Sequence, residues 1–150
     1  MVISSMVRTI FKAKTSKVNG AASALASSGA SAYCRDLDNW PRSWMGLEKD
    51  LPLGEELVAC FRPFIEHLAS SSLSSKTIRR HVDNLWILGG EIIRDLNYTP
   101  SLRKVAAQRL LREAVHADGG PLMHNGSEEE QYSLDATCRK LHRFLSEPQH

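Results

Sequence analysis

The chain has 150 residues, 42% of them hydrophobic and 24% charged, the size and make-up of one globular domain with a proper apolar core. Its net charge of +2 is unevenly placed: residues 1–40 carry Arg8, Lys12, Lys14, Lys17 and Arg35 against Asp36 and Asp38, which leaves the remainder close to −1. Global charge therefore gives no support for nucleic-acid affinity, and any such affinity has to come from a local patch.

Strand signals are poorly represented. Period-two alternation is scarce, while Leu, Ala, Arg, Lys and Glu dominate the periodic segments, so an all-α fold is expected. Cys34, Cys60 and Cys138 are widely spaced and form no C-x-x-C pair, which argues against a disulfide framework or a structural zinc site. A reducing, cytoplasmic setting fits best. No apolar run approaches the roughly 18–20 residues needed to cross a bilayer, and no membrane association is expected.

Residues 1–39 are rich in Ser, Ala and Gly and contain no acid before Asp36. With little apolar bulk to offset ordering entropy, they read as a disordered basic tail, with a transient helix near Val7–Lys14. Organellar targeting by such a leader is the minor alternative. The helical domain is expected over residues 40–150. Trp40-Pro41-Arg42-Ser43-Trp44 should open it as an irregular segment anchored by two indoles, an exposed aromatic platform for bases being the competing reading.

The first confident helix is expected from Gly54 or Glu55 to Ala69, with Leu57, Phe61, Phe64, Ile65 and Leu68 at helical spacing. Pro63 inside it removes a hydrogen bond and costs roughly 3 kcal/mol, predicting a kink or fresh start near Arg62. The second helix follows a serine-rich link. Ser74 is its N-cap, Leu73 and Ile78 form a hydrophobic staple, and Ile78, Val82, Leu85, Gly89, Ile92 and Leu96 build one buried face. Gly89 implies either a close crossing or a break between two shorter helices.

Thr99-Pro100 should start a third helix that ends at Asp118-Gly119-Gly120-Pro121, with Leu102, Ala106, Leu110 and Ala114 as its apolar stripe. Ser127-Glu128-Glu129-Glu130 is a capping box for a fourth, buried through Leu134, Cys138, Leu141 and Leu145. The expectation is a bundle of four to five helices behind a disordered tail.

A catalytic constellation is not evident. His67, His81, His116, His124, His142 and His150 show no H-x-x-x-H or H-E-x-x-H spacing, so no metal is expected. Glu128–Glu130 reads as helix-start acids and Asp118-Gly119-Gly120 as a helix stop. No enzyme activity, cofactor or small-molecule substrate is expected.

The distinctive feature is the start of the second helix, where Ser75, Lys76, Thr77, Arg79 and Arg80 crowd the first two turns. Free backbone N–H groups, a positive dipole end and cationic side chains there suit a phosphate backbone, although an ordinary solvated face has the same composition. The stem of Arg79 is expected to cover Trp86. On the third helix Lys104, Gln108 and Arg112, flanked by Arg103 and Arg109, form a second polar stripe. Two such stripes on neighbouring helices could straddle double-stranded DNA, one helix entering the major groove while the other holds phosphates.

Phe64-Ile65-Glu66-His67-Leu68, a short link, and then Leu73-Ser74-Ser75-Lys76-Thr77-Ile78-Arg79-Arg80-His81 resemble the N-terminal core-binding domain of tyrosine recombinases (phage integrases). There, "F-x-x-x-L" precedes "L-S-x-x-T-I-x-x-Y/H-x-x-x-L", places held here by Thr77, Ile78, His81 and Leu85. The resemblance covers about Leu57–Leu96. It implies an orthogonal, SAM-like helical bundle that clamps one side of a recombination site, with the residues at the second helix start on DNA. The catalytic Arg, Lys, His and Tyr set of that family has no counterpart here. The resemblance thus implies a non-catalytic DNA-binding module of a mobile element, working with a separate recombinase catalytic subunit. The alternative is a helical protein-interaction or regulatory domain without DNA contact, favoured by Ile87 projecting from the polar face of Lys76, Arg80, Asp83 and Arg94.

Overall fold

Two long helices, Leu51–Ala69 and Ser75–Tyr98, form the centre on which the other elements pack. The computed structural model describes residues 29–147. In chain order its α-helices are α1 (Gly29–Tyr33), α2 (Trp40–Trp44), α3 (Leu51–Ala69), α4 (Ser75–Tyr98), α5 (Ala107–Ala114) and α6 (Glu128–Ser146), joined by 3-10 turns at Leu37–Asn39, Glu48–Asp50 and Pro100–Lys104. The all-α character is as expected, and the described residues contain no strand beyond one isolated bridge between His116 and Gly119. No helix among the described residues is long and apolar enough to cross a membrane.

The caps of α4 and α6 form as their sequences dictate. Ser74 Oγ accepts from the Thr77 amide at 3.1 Å, and Ser127 and Glu130 exchange side-chain-to-backbone bonds of 3.1 and 2.9 Å. Each bond occupies an amide that the first helical turn would otherwise leave without a partner. The apolar stripes of α3 and α4 meet in the core, where Leu57, Phe61, Phe64, Ile65, Leu85, Leu88 and Leu96 are fully buried.

Pro63 neither ends nor restarts α3, which runs unbroken from Leu51 to Ala69. Phe61, Phe64, Ile65 and Leu68 are buried on both sides of the proline. At roughly 1.5–3 kcal/mol each, their burial outweighs the one missing hydrogen bond. Gly89 breaks nothing either. It makes room for the Trp44 indole, which lies where a Cβ would stand, so the close approach comes from a side chain rather than a crossing helix.

Three further expectations are corrected. The tail does not extend to residue 39: α1 and the turn after it belong to the core through Ala30, Cys34 and Leu37. Residues 1–28, including the segment Val7–Lys14, lie outside the described residues. Trp40–Trp44 is helical, and both indoles are buried against Phe61, with ring centroids 6.4 Å away. No aromatic platform faces solvent there.

The single helix expected after Thr99 is two pieces. Val105 and Ala106 are extended between the 3-10 turn and α5. The cause is tertiary: Arg103 is drawn onto the buried Asp50 carboxylate at 2.9 Å and onto Asn97 Oδ1 at 3.1 Å. Helix α5 then stops at Ala114, ahead of the glycines. Gly119 closes a reversal at φ +155°, where an added Cβ would also meet Asp135 at 2.7 Å.

Candidate nucleic-acid interface

Helices α4 and α6 run antiparallel, because His81 meets Thr137 while Asn84 meets Ser133. Their seam contains a buried polar group of atoms. His81 Nδ1 lies 2.7 Å from Thr137 Oγ1, and Asn84 Nδ2 donates to Thr137 Oγ1 at 2.9 Å and to the Ser133 carbonyl at 3.1 Å. Burial, followed by the positive charges of Arg80 and Lys140, pushes the His81 imidazole down to about 4. It is neutral at physiological pH.

The expected residues at the start of α4 are placed as follows. Ser75, Lys76, Arg79 and Arg80 are exposed and Thr77 is half-buried. Thr77 Oγ1 accepts from Ser74 Oγ at 3.0 Å, and Ser75 Oγ lies 3.5 Å from the Tyr33 hydroxyl. The Arg79 guanidinium, whose stem was expected over Trp86, sits over the Tyr33 ring at 5.6 Å. Trp86 instead donates to Ser43 Oγ at 2.8 Å and is buried. Neither Lys76 nor Arg80 has a carboxylate within ion-pair distance among the described residues.

The second stripe does not stay together, because Val105 and Ala106 part Lys104 from Gln108 and Arg112. Lys104 follows Arg103, which is fastened to Asn97 near the far end of α4. Asn97 lies 21 positions after Lys76, roughly 30 Å along the helix at 1.5 Å per residue. Gln108 and Arg112 are exposed on α5, where they border a shallow groove with Cys60, Pro63, Leu111, Phe144 and Leu145. Through that groove both approach the C-terminal part of α6, Arg112 donating to the Leu145 carbonyl at 3.4 Å. The flanking cations are committed elsewhere, Arg103 to Asp50 and Arg109 to Glu113 at 3.0 Å.

From His81 to Gly89, α4 is buried apart from a partly exposed Asp83. Asn84, Trp86, Leu88 and Ile93 are all buried, and so is Ile87, which was expected on the open polar face. Helix α6 covers that side of α4, and its neighbouring loop is tied down where the His124 amide donates to Glu91 Oε2 at 3.1 Å. Only the N-terminal end of α4 faces solvent as a cationic surface, so insertion of the whole helix into a major groove is not available.

Sequence reasoning missed Lys140. It stands one turn beyond Thr137 on the same side of α6, and with Arg80 it is one of the two cations acting on His81. The signal that could have found it is polar pairing within apolar stripes: His81 and Asn84 on α4, and Thr137 beside Leu134 and Cys138 on α6.

Burial pushes the thiols of Cys34 and Cys60 up and that of Cys138 up to about 12. Among the described residues, no group of three or more His, Cys, Asp and Glu side chains is placed to hold a metal ion. Compared with known protein families, curated proteins and solved structures, the chain finds no match.

Proposed function

We propose that the protein is a non-catalytic module that binds double-stranded DNA through the exposed N-terminal end of α4. The observation that carries this reading is the exposure of Lys76 and Arg80 with no described carboxylate neutralising either. Unpaired cations beside a helix N-terminus attract phosphate by charge and dipole together. The likeness of Leu57–Leu96 to the core-binding domain of tyrosine recombinases supports the same partner, and with it a separate chain that would supply recombination chemistry.

A partner protein in place of DNA is the second reading. Ile87 no longer favours it, being buried, but Leu122 and Tyr132 are 84% and 72% exposed. A mobility-shift titration with duplex DNA separates the two. The proposal expects binding that the paired change Lys76→Ala and Arg80→Ala weakens, in a protein that still melts cooperatively. An unchanged shift in that folded variant would exclude this face.

A further inference from the structure

We infer that the DNA-binding surface is bipartite, with Lys140 of α6 as its second limb beside Lys76 and Arg80 of α4, and that it holds backbone phosphates rather than reading bases. This rests on the DNA reading above and adds to it both a residue from another helix and the mode of contact.

The placement follows from the antiparallel seam. His81 and Asn84 of α4 face Thr137 and Ser133 of α6. Arg80 precedes His81, and Lys140 lies three positions past Thr137, so both flank the same buried polar pair from opposite helices. Lys76 extends the row by one turn of α4. The bonds from Thr137 to His81 and Asn84 fix the two helices in this register, which holds Arg80 and Lys140 on the two sides of one seam, with Asp83 one turn after Arg80 as the next acid on α4. Lys140 is partly exposed, and among the described residues it has no ion-pair partner.

The occupant is argued from charge and from shape. Three cations clustered at one end of a bundle match a polyanion, because each phosphate neutralised releases counterions. The same end offers little helix face that could reach base edges: His81, Val82 and residues 84–89 are buried, and the part of α4 that returns to the surface beyond Gly89 carries the acids Glu91 and Asp95, which repel phosphate. Contacts of this kind set orientation and affinity and carry no sequence information.

The test is fluorescence anisotropy with two duplexes of equal length and unrelated sequence, each titrated at several salt concentrations. Wild type should bind both with affinities within about threefold. Lys140→Ala and Lys140→Gln should each lower the slope of log K against log salt by about 0.9. Lys140→Arg should retain it, and Arg109→Ala, which removes a cation already paired with Glu113, should leave it unchanged. A wild-type slope in both neutral variants, alongside a reduced slope for Lys76→Ala with Arg80→Ala, would overturn the second limb and leave the DNA reading standing. Strong preference for one duplex would overturn the phosphate mode of contact. Absence of salt-dependent binding by wild type would overturn the DNA reading itself.

Discussion

Arg103 reaches across the fold to Asp50, its Nε 2.9 Å from Oδ1 of a carboxylate whose side chain is wholly buried. Asp50 Oδ2 also accepts from the amides of Gly46 and Leu47 at 3.1 and 3.0 Å. Burial alone would raise this carboxyl, but the amide bonds and the guanidinium outweigh it and hold it below its ordinary range. The pair joins the turn before α3 to the turn after α4.

Removing one partner strands the other. Arg103→Met should therefore destabilise the protein by about 3–5 kcal/mol, because a buried carboxylate is left without its counter-charge. Arg109→Met, which breaks an exposed pair, should cost less than about 1 kcal/mol. Urea denaturation of the two variants checks the contrast.

Gly89→Ala should destabilise by about 1–3 kcal/mol, since the new methyl occupies space held by the Trp44 indole. Gly90→Ala is the control. Its Cβ would meet Trp44 at an ordinary 3.4 Å, and the gain in helix propensity of about 0.8–1 kcal/mol should make it neutral or stabilising. Thermal melts followed by circular dichroism report both.

Stability should fall as pH drops from about 6.5 towards 4. His81 is neutral in the folded state down to about 4, against an ordinary value of 6.5. Across that window the unfolded chain takes up a proton that the native protein refuses, so the full contribution is present above pH 6.5 and is lost on acidification. The loss is up to roughly 3 kcal/mol by pH 4. The lowered carboxyl of Asp50 adds a further loss with the same sign at lower pH. Denaturation midpoints between pH 4 and 8 test this, and a His81→Asn variant should lack the steeper part between 6.5 and 4.

Where local signals and tertiary packing agree, the fold is readable from the chain. Ser74 and Ser127 begin α4 and α6 where hydroxyl caps precede apolar stripes, and the periodic Leu, Phe and Ile residues of α3 are the ones buried. The departures are tertiary. No local rule reveals that Asp50 will capture Arg103 and stop a helix at Lys104. Ile87 sits among polar neighbours on α4, yet it is buried on the side that α6 covers. Ala30 and Cys34 are too small to mark α1 as part of the core.

The candidate site was legible by half. Lys76 and Arg80 are exposed together as their spacing predicts. Lys104, Gln108 and Arg112 read as one stripe only on the premise of a continuous helix, and the break at Val105–Ala106 removes it. Lys140 lies 60 positions from Arg80 in the chain, and the contacts of His81 and Asn84 with Thr137 and Ser133 bring their helices together.

The most direct measurement is the salt dependence of duplex binding by wild type and by the variant carrying Lys76→Ala and Arg80→Ala. The account predicts a linear fall of log K with log salt for wild type, and a slope smaller by about 1.8 for the variant. Equal slopes in two folded proteins, or no binding at low salt, would contradict it.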